Sequence, residues 1–158
     1  MLEKEYFEDC QVGERFLTPG RTITESDIVG FAAFTGDWTS IHSDAEFAKT
    51  NGYGSRIAHG LLSLVVGVNL IFRLGQHAVY PKSLIALAAI EKVRFVEPVK
   101  IGDTLYLDVE ITETEVLRNA TGLIGLRYRV KNQRDELVFA ARTKIAARCR
   151  PVAEAPAG

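Results

Sequence analysis

The chain has 158 residues, of which 47% are apolar and 25% charged, and its formal net charge is −1. This is enough chain for one domain with its own core, and the near-neutral balance excludes both the basic field that holds nucleic acid and a polybasic membrane patch. The two cysteines, Cys10 and Cys149, lie near opposite ends with no CxxC or Cys/His cluster, which argues against a zinc site or a disulfide framework.

The opening MLEKEYFEDC has no apolar h-region of the kind a signal peptide carries. The longest apolar run, Leu61 to Phe72, is broken by Ser63, Gly67 and Asn69 and falls short of the roughly 18 residues of a membrane span. The expectation is a cytoplasmic protein. Glu14 to Ile23 reads as a first strand turning at Pro19-Gly20. A helix follows, with Thr24 as N-cap and Asp27 completing a capping box. Its apolar face is expected to carry Ile28, Phe31, Ala32 and Phe34, and Gly36 is the stop signal.

Asp37 to Ile41 reads as a short irregular connection. Ser43 and Glu46 form a second S-x-x-E capping box, which predicts a short helix from Ser43 with Phe47 and Ala48 facing inward. Asn51-Gly-Tyr-Gly54 is loop chemistry. From His59 to Leu74 the chain is apolar nearly all round, as in a helix buried on every side, and Gly75 ends it.

The second half changes period. Ser83 to Val96 predicts a strand, broken from the next by Pro98 and Gly102. Leu105, Leu107, Val109 and Ile111 alternate with polar residues, as do Ile124, Leu126, Tyr128 and Val130. Asn132 to Asp135 is a turn, followed by alternation from Leu137 to Ile145. Helices segregated from a run of strands indicate an α+β fold, with an antiparallel sheet wrapped around the long central helix. One domain is expected over residues 1–148, with the Pro- and Ala-rich residues 149–158 as a flexible tail.

Candidate chemistry concentrates in Phe34-Thr-Gly-Asp-Trp-Thr-Ser-Ile-His-Ser-Asp44. A loop held between rigid elements here gathers a carboxylate, an indole, hydroxyls and an imidazole. A turn that brings the tips of Asp37 and His42 onto one water makes an acid–base pair. The same residue types also serve as turn and cap residues. Trp38 fits either a pocket wall or the core. A second cluster, Tyr53-Gly-Ser-Arg-Ile-Ala-His-Gly60-Leu-Leu-Ser63, leads into the apolar helix, whose first amides have no intrahelical partner. With no side chain at Gly60, a thioester oxygen that gains negative charge has access to those amides. His59 reads as a hydrogen-bonded structural histidine or a catalytic one, and with Gly60 and Thr39 it makes up the candidate oxyanion and substrate-binding set. His42, Asp44 and His59 are the residues a metal site would draw on, but no spacing fixes a ligand geometry and no metal is expected.

These two blocks resemble the MaoC-like dehydratase family of (R)-specific enoyl-CoA hydratases. Phe34 to Asp44 is similar to the family's hydratase motif, and Arg56-Ile-Ala-His-Gly60 to its helix-start motif. The resemblance implies a hot dog fold, a homodimer, a CoA thioester substrate, and no metal or redox cofactor. It implies catalytic roles for Asp37 and His42, and a thioester-binding amide at Gly60, with Thr39 and His59 beside the site. The family commonly has Asn-Pro where this chain has Thr39-Ser40, so Thr39 can replace the asparagine only through a shorter-reaching hydroxyl. A thioesterase on the same fold and a non-catalytic acyl-CoA-binding module are the competing readings. The candidate phosphate partners are Arg56, Arg73, Lys82, Lys92, Arg94 and Lys100.

Overall fold

The computed structural model describes residues 3–152. Two short strands, β1 (Arg15–Leu17) and β2 (Arg21–Thr22), precede helix α1 (Glu25–Thr35). The capping box forms as the sequence predicts. The Asp27 N–H donates to Thr24 Oγ1 at 3.3 Å, and the Thr24 N–H donates to Asp27 Oδ2 at 2.8 Å. Gly36 ends the helix in the left-handed region at φ 80°, where a side chain would be strained. Ile28 and Ala32 are buried and Phe31 packs against the core, but Phe34 is 88% exposed. The expected inward Phe34 is corrected by helix geometry: six residues beyond Ile28, it points about 240° round the axis.

The connection after Gly36 is more regular than expected. Helix α2 (Ser40–Ser43) contains His42, and α3 (Ala45–Thr50) follows directly. The N-cap of α3 is Asp44, not Ser43. Its carboxylate accepts from the Glu46 and Phe47 N–H groups at 2.9 and 3.0 Å, while the Ser43 hydroxyl donates back to the Trp38 carbonyl at 2.8 Å. A carboxylate adjacent to the helix start outcompetes a hydroxyl engaged elsewhere. The cap shift turns Phe47 half out to solvent and leaves Ala48 as the buried residue of α3.

The apolar run forms α4 (Gly60–Asn69), extended by a 3₁₀ turn over Leu70–Leu74 and stopped at Gly75. It is not buried on all sides. Leu62, Leu64, Leu70 and Ile71 are buried, whereas Leu61 and Val65 stand exposed on the opposite stripe. Among the described residues no helix is long and apolar enough to cross a membrane.

Four long strands follow: β3 (Leu84–Phe95), β4 (Thr104–Val116), β5 (Thr121–Lys131) and β6 (Leu137–Arg148). The sheet order is β1-β4-β5-β6-β3, with β2 also on β4, and every pairing is antiparallel. The period-2 residues of β4 (Leu105, Leu107, Val109, Ile111) and of β5 (Ile124, Leu126, Tyr128, Val130) are all essentially fully buried. They form the face on which α4 lies, so the core sits chiefly between α4 and one sheet face, with Ile28 of α1 joining it. The predicted α+β architecture, a sheet around a central helix, is what forms. Strand β3 ends the sheet, and its second edge has no partner among the described residues.

The expected tail begins later than Cys149. The Cys149 N–H donates to the Ala120 carbonyl at 2.8 Å, and Arg150 pairs with Asp9 at 2.7 Å and lies over the Tyr6 ring. The rest of that tail, from residue 153, lies outside the described residues.

Helix α4 approaches the sheet closely at Gly67. A Cβ there would lie 2.6 Å from the Phe139 ring and 2.9 Å from Val130. Gly67→Ala is therefore expected to lower stability by about 1–3 kcal/mol through overpacking, despite alanine's better helix propensity. Urea unfolding checks this, and an unchanged or raised midpoint would show that the helix can back away freely.

Candidate active site

Asp37 follows the left-handed Gly36, and the chain then winds into α2. The Thr39 hydroxyl donates to Asp37 Oδ1 at 2.5 Å and the Thr39 N–H to the same oxygen at 3.2 Å. An oxygen accepting two hydrogen bonds is stabilised as the anion. The Thr39 hydroxyl first, and its N–H second, hold the Asp37 carboxyl below the usual aspartate range. The carboxylate remains accessible, with 46% of the side chain exposed. Thr39 thus supplies the ordering donor that its sequence position suggested, and from a short hydroxyl.

His42 stands in α2, and its ring Nδ1 lies 2.8 Å from the Ile57 carbonyl. A carbonyl only accepts, so in the neutral ring Nδ1 carries the proton and Nε2 presents a lone pair. His59, the N-cap residue of α4, is 3% exposed. Its Nε2 lies 3.0 Å from the Asp37 main-chain carbonyl, which fixes the opposite tautomer. The His42 and His59 rings stack with centroids 3.8 Å apart. Asp37, His42 and His59 bring ligand-type atoms within 4.8 Å of one another. Both histidines hold a main-chain carbonyl through one nitrogen and His59 Nδ1 is buried, so His42 Nε2 and the carboxylate are the groups left to face a reactant or an ion. Asp44, the third member of the metal set considered from sequence, instead caps α3.

A cleft of about 280 Å³ opens beside this cluster, lined by His42, Ile57, Gly60, Ser63, Phe95 and Val138 among others. Gly60 begins α4 there, so the amides at the positive end of a ten-residue helix border the cleft. Asp37, Thr39 and His59 are not among its lining residues. Thr39 and His59, the residues expected beside Gly60 at the substrate, both reach Asp37, one through its carboxylate and the other through its main-chain carbonyl. Trp38 is half exposed, in neither the core nor the cleft. The Ile57 carbonyl that orients His42 had no sequence signal, because any residue type can supply a main-chain oxygen. Phe95 is brought from β3, its ring 3.4 Å from the position of a Cβ on Gly60.

Comparison with known proteins identifies the family. A family model described as "MaoC like domain" matches residues 9–132. The chain is 39% identical over 113 residues to the 3-hydroxybutyryl-CoA dehydratase of Methylorubrum extorquens, covering 68% of this chain and 64% of that one. It spans less than two thirds of the length of the first curated relatives it matches. Among solved structures, the monoamine oxidase regulatory protein of Archaeoglobus superposes with a TM-score of 0.88 at 37% identity, over 94% of this chain and 97% of the other. The unliganded R-hydratase PhaJ1 of Pseudomonas aeruginosa superposes with a TM-score of 0.76 at 28% identity, over 99% and 97%. The fold is the hot dog fold, and the chain belongs to the MaoC-like dehydratase family.

Proposed function

We propose that the protein is an (R)-specific enoyl-CoA hydratase, working in reverse as a 3-hydroxyacyl-CoA dehydratase, with Asp37 and His42 as its catalytic pair. The observation that carries this reading is the placement of two complementary groups beside a helix start. The ionised Asp37 carboxylate lies within 4.8 Å of a His42 ring whose Nδ1 is held by the Ile57 carbonyl. The (R) configuration is supported by likeness to the R-hydratase fold and sequence, and the CoA thioester by the name of the Methylorubrum relative.

In this mechanism the thioester oxygen lies at the Gly60 amide, and a water sits between Asp37 and His42. The carboxylate accepts one hydrogen bond from the water and aims its oxygen at C3. His42 Nε2 takes the other proton as the C–O bond forms, which is general base catalysis. The C2–C3 π pair moves toward the thioester oxygen, where the amides at the α4 N-terminus stabilise the charge. The proton on Nε2 then passes to C2 on the same face, and the carbonyl reforms. The product is a 3-hydroxyacyl thioester, and both side chains return to their starting states without metal or redox chemistry.

A homodimer is part of this proposal. Leu84, Ile85, Leu87, Ile90, Val93 and Phe95 are exposed along the unpaired edge strand β3. An open apolar edge of this length invites pairing with a second copy. Sedimentation equilibrium should return twice the chain mass, and a monomer at micromolar concentration would remove the dimer from the proposal.

The main test follows the enoyl absorbance of crotonyl-CoA together with free thiol. Loss of the enoyl band without thiol release is expected. Asp37→Asn and His42→Ala should each lower kcat by about 10²–10⁴-fold, the range of a positioned acid–base group. Thiol release would move the assignment to a thioesterase. Tight binding with neither signal across short, long and branched enoyl-CoAs would make the protein a binding module.

Ionisation of Asp37 gives a separate test. Its carboxyl pKa is depressed, so the carboxylate persists to lower pH than an ordinary aspartate. Thr39→Val removes the largest cause, and the pKa should rise toward the ordinary value, so protonation sets in at higher pH. Carbon-13 carboxyl titration reads this directly. An unchanged Asp37 titration in the variant would show that the Thr39 hydroxyl does not control the charge.

A further inference from the structure

His59 contacts more parts of the catalytic machinery than any one function assigned to it requires. One face of its ring stacks on His42 at 3.8 Å between centroids, and Phe31 of α1 approaches it at 5.0 Å. Its Nε2–H holds the Asp37 main-chain carbonyl at 3.0 Å. Its own carbonyl accepts from the Ser63 N–H at 3.0 Å and the Ser63 hydroxyl at 3.2 Å, in the first turn of α4. The remaining ring nitrogen, Nδ1, is buried with no hydrogen-bond partner among the described residues. A buried, unpartnered nitrogen carries a desolvation cost. Leucine or phenylalanine at this position would fill the space without that cost, but neither can hold the Asp37 carbonyl.

We infer that His59 is a positioning residue for both members of the proposed catalytic pair. It fixes the backbone that carries the Asp37 carboxylate through a hydrogen bond, and the plane of the His42 imidazole through the stack. The inference rests on the hydratase reading of Asp37 and His42. His59 is buried and holds the Asp37 carbonyl and the face of the His42 ring, so its effect on turnover passes through these two residues. Two separate anchors hold the His42 ring: the Ile57 carbonyl sets the direction of Nδ1, and the His59 face restricts rotation about that hydrogen bond. Removing His59 leaves Asp37 with its Thr39 donors but releases its main-chain carbonyl. A catalytic group displaced by about 1 Å costs on the order of 10²-fold in rate.

The two anchoring modes are separable by substitution. His59→Phe keeps an aromatic face for His42 and deletes the hydrogen bond to Asp37. His59→Gln places an amide N–H near the position of Nε2 and deletes the ring. Steady-state hydration of crotonyl-CoA should show kcat down about 10²-fold in His59→Phe and about tenfold in His59→Gln, with KM within about threefold of wild type in both. The partial rescue by glutamine separates a hydrogen-bonding role from simple packing. Wild-type kcat in both variants would overturn the inference, and so would a raised KM at unchanged kcat, which marks substrate contact. Should either variant fail to fold, long-range ¹H–¹⁵N spectra of the wild-type imidazoles decide. The inference requires the Nε2–H tautomer for His59 and the Nδ1–H tautomer for His42 in their neutral forms, and the reverse assignment for His59 overturns it. If the wild-type protein hydrates no enoyl-CoA, the functional reading fails, and the same spectra still decide whether His59 holds Asp37.

Discussion

The close approach of α4 to the sheet at Gly67 sets the position of everything else in the site. Phe139 and Val130 occupy the volume where a side chain would stand, so the helix lies directly on the inner face of β5 and β6. Its axis is then fixed by packed apolar rows, and dense interiors permit little sliding. The N-terminus of α4 must emerge beside Phe95, which brings Gly60 to the cleft and His59 against α1 and α2. The chemistry-bearing loop is held from below by this helix start. It is not left to define its own shape.

Main-chain oxygens then do the fine orientation. The Ile57 and Asp37 carbonyls each capture one histidine nitrogen, and opposite tautomers result from where those carbonyls point. Thr39 completes the arrangement from the other side, reaching Asp37 across one turn with both hydroxyl and N–H. Such a site is less sensitive to side-chain identity than it looks, since two of its orienting groups are backbone atoms. It is correspondingly sensitive to the path of the chain. Gly36 matters in that way: its left-handed turn aims the Asp37 peptide at His59.

The parts legible in the sequence were those set by local rules. The capping box at Thr24 and Asp27, the stop at Gly36 and the period-2 runs of β4 and β5 are short-range features, and they form as read. Asp37, His42 and Gly60 were singled out because they fall in two blocks that resemble family motifs, and the fold brings these two blocks together. Less legible was anything decided by competition or by distant contacts. Ser43 and Asp44 both qualify as N-caps, and the use of the Ser43 hydroxyl on the Trp38 carbonyl, five residues back, decides between them. The exposed stripe of α4 has the same composition as the buried one, so hydropathy alone merged them. His59 sits in the motif, but its partner is a carbonyl 22 positions earlier, which no pattern of residue types encodes.

Under the proposed function, the exposed surface bears on how the site would meet the rest of a CoA ester. Of the six cations considered for the phosphates, three are already engaged: Arg56 with Glu25, Lys82 with Glu3 and Glu5, and Lys100 with the Tyr53 carbonyl. Redirecting any of these to a phosphate would break an existing contact. Arg73, Lys92 and Arg94 carry no ion pair among the described residues. Lys92 and Arg94 both lie on β3, the strand whose unpaired edge also exposes Ile90, Val93 and Phe95. Phe95 in turn borders the cleft beside Gly60. One strand therefore carries an open backbone edge, an apolar surface, two unpaired cations and a wall of the reaction cleft. A copy of the chain paired along β3 would bring these features of both protomers together, so assembly and substrate binding would draw on the same strand.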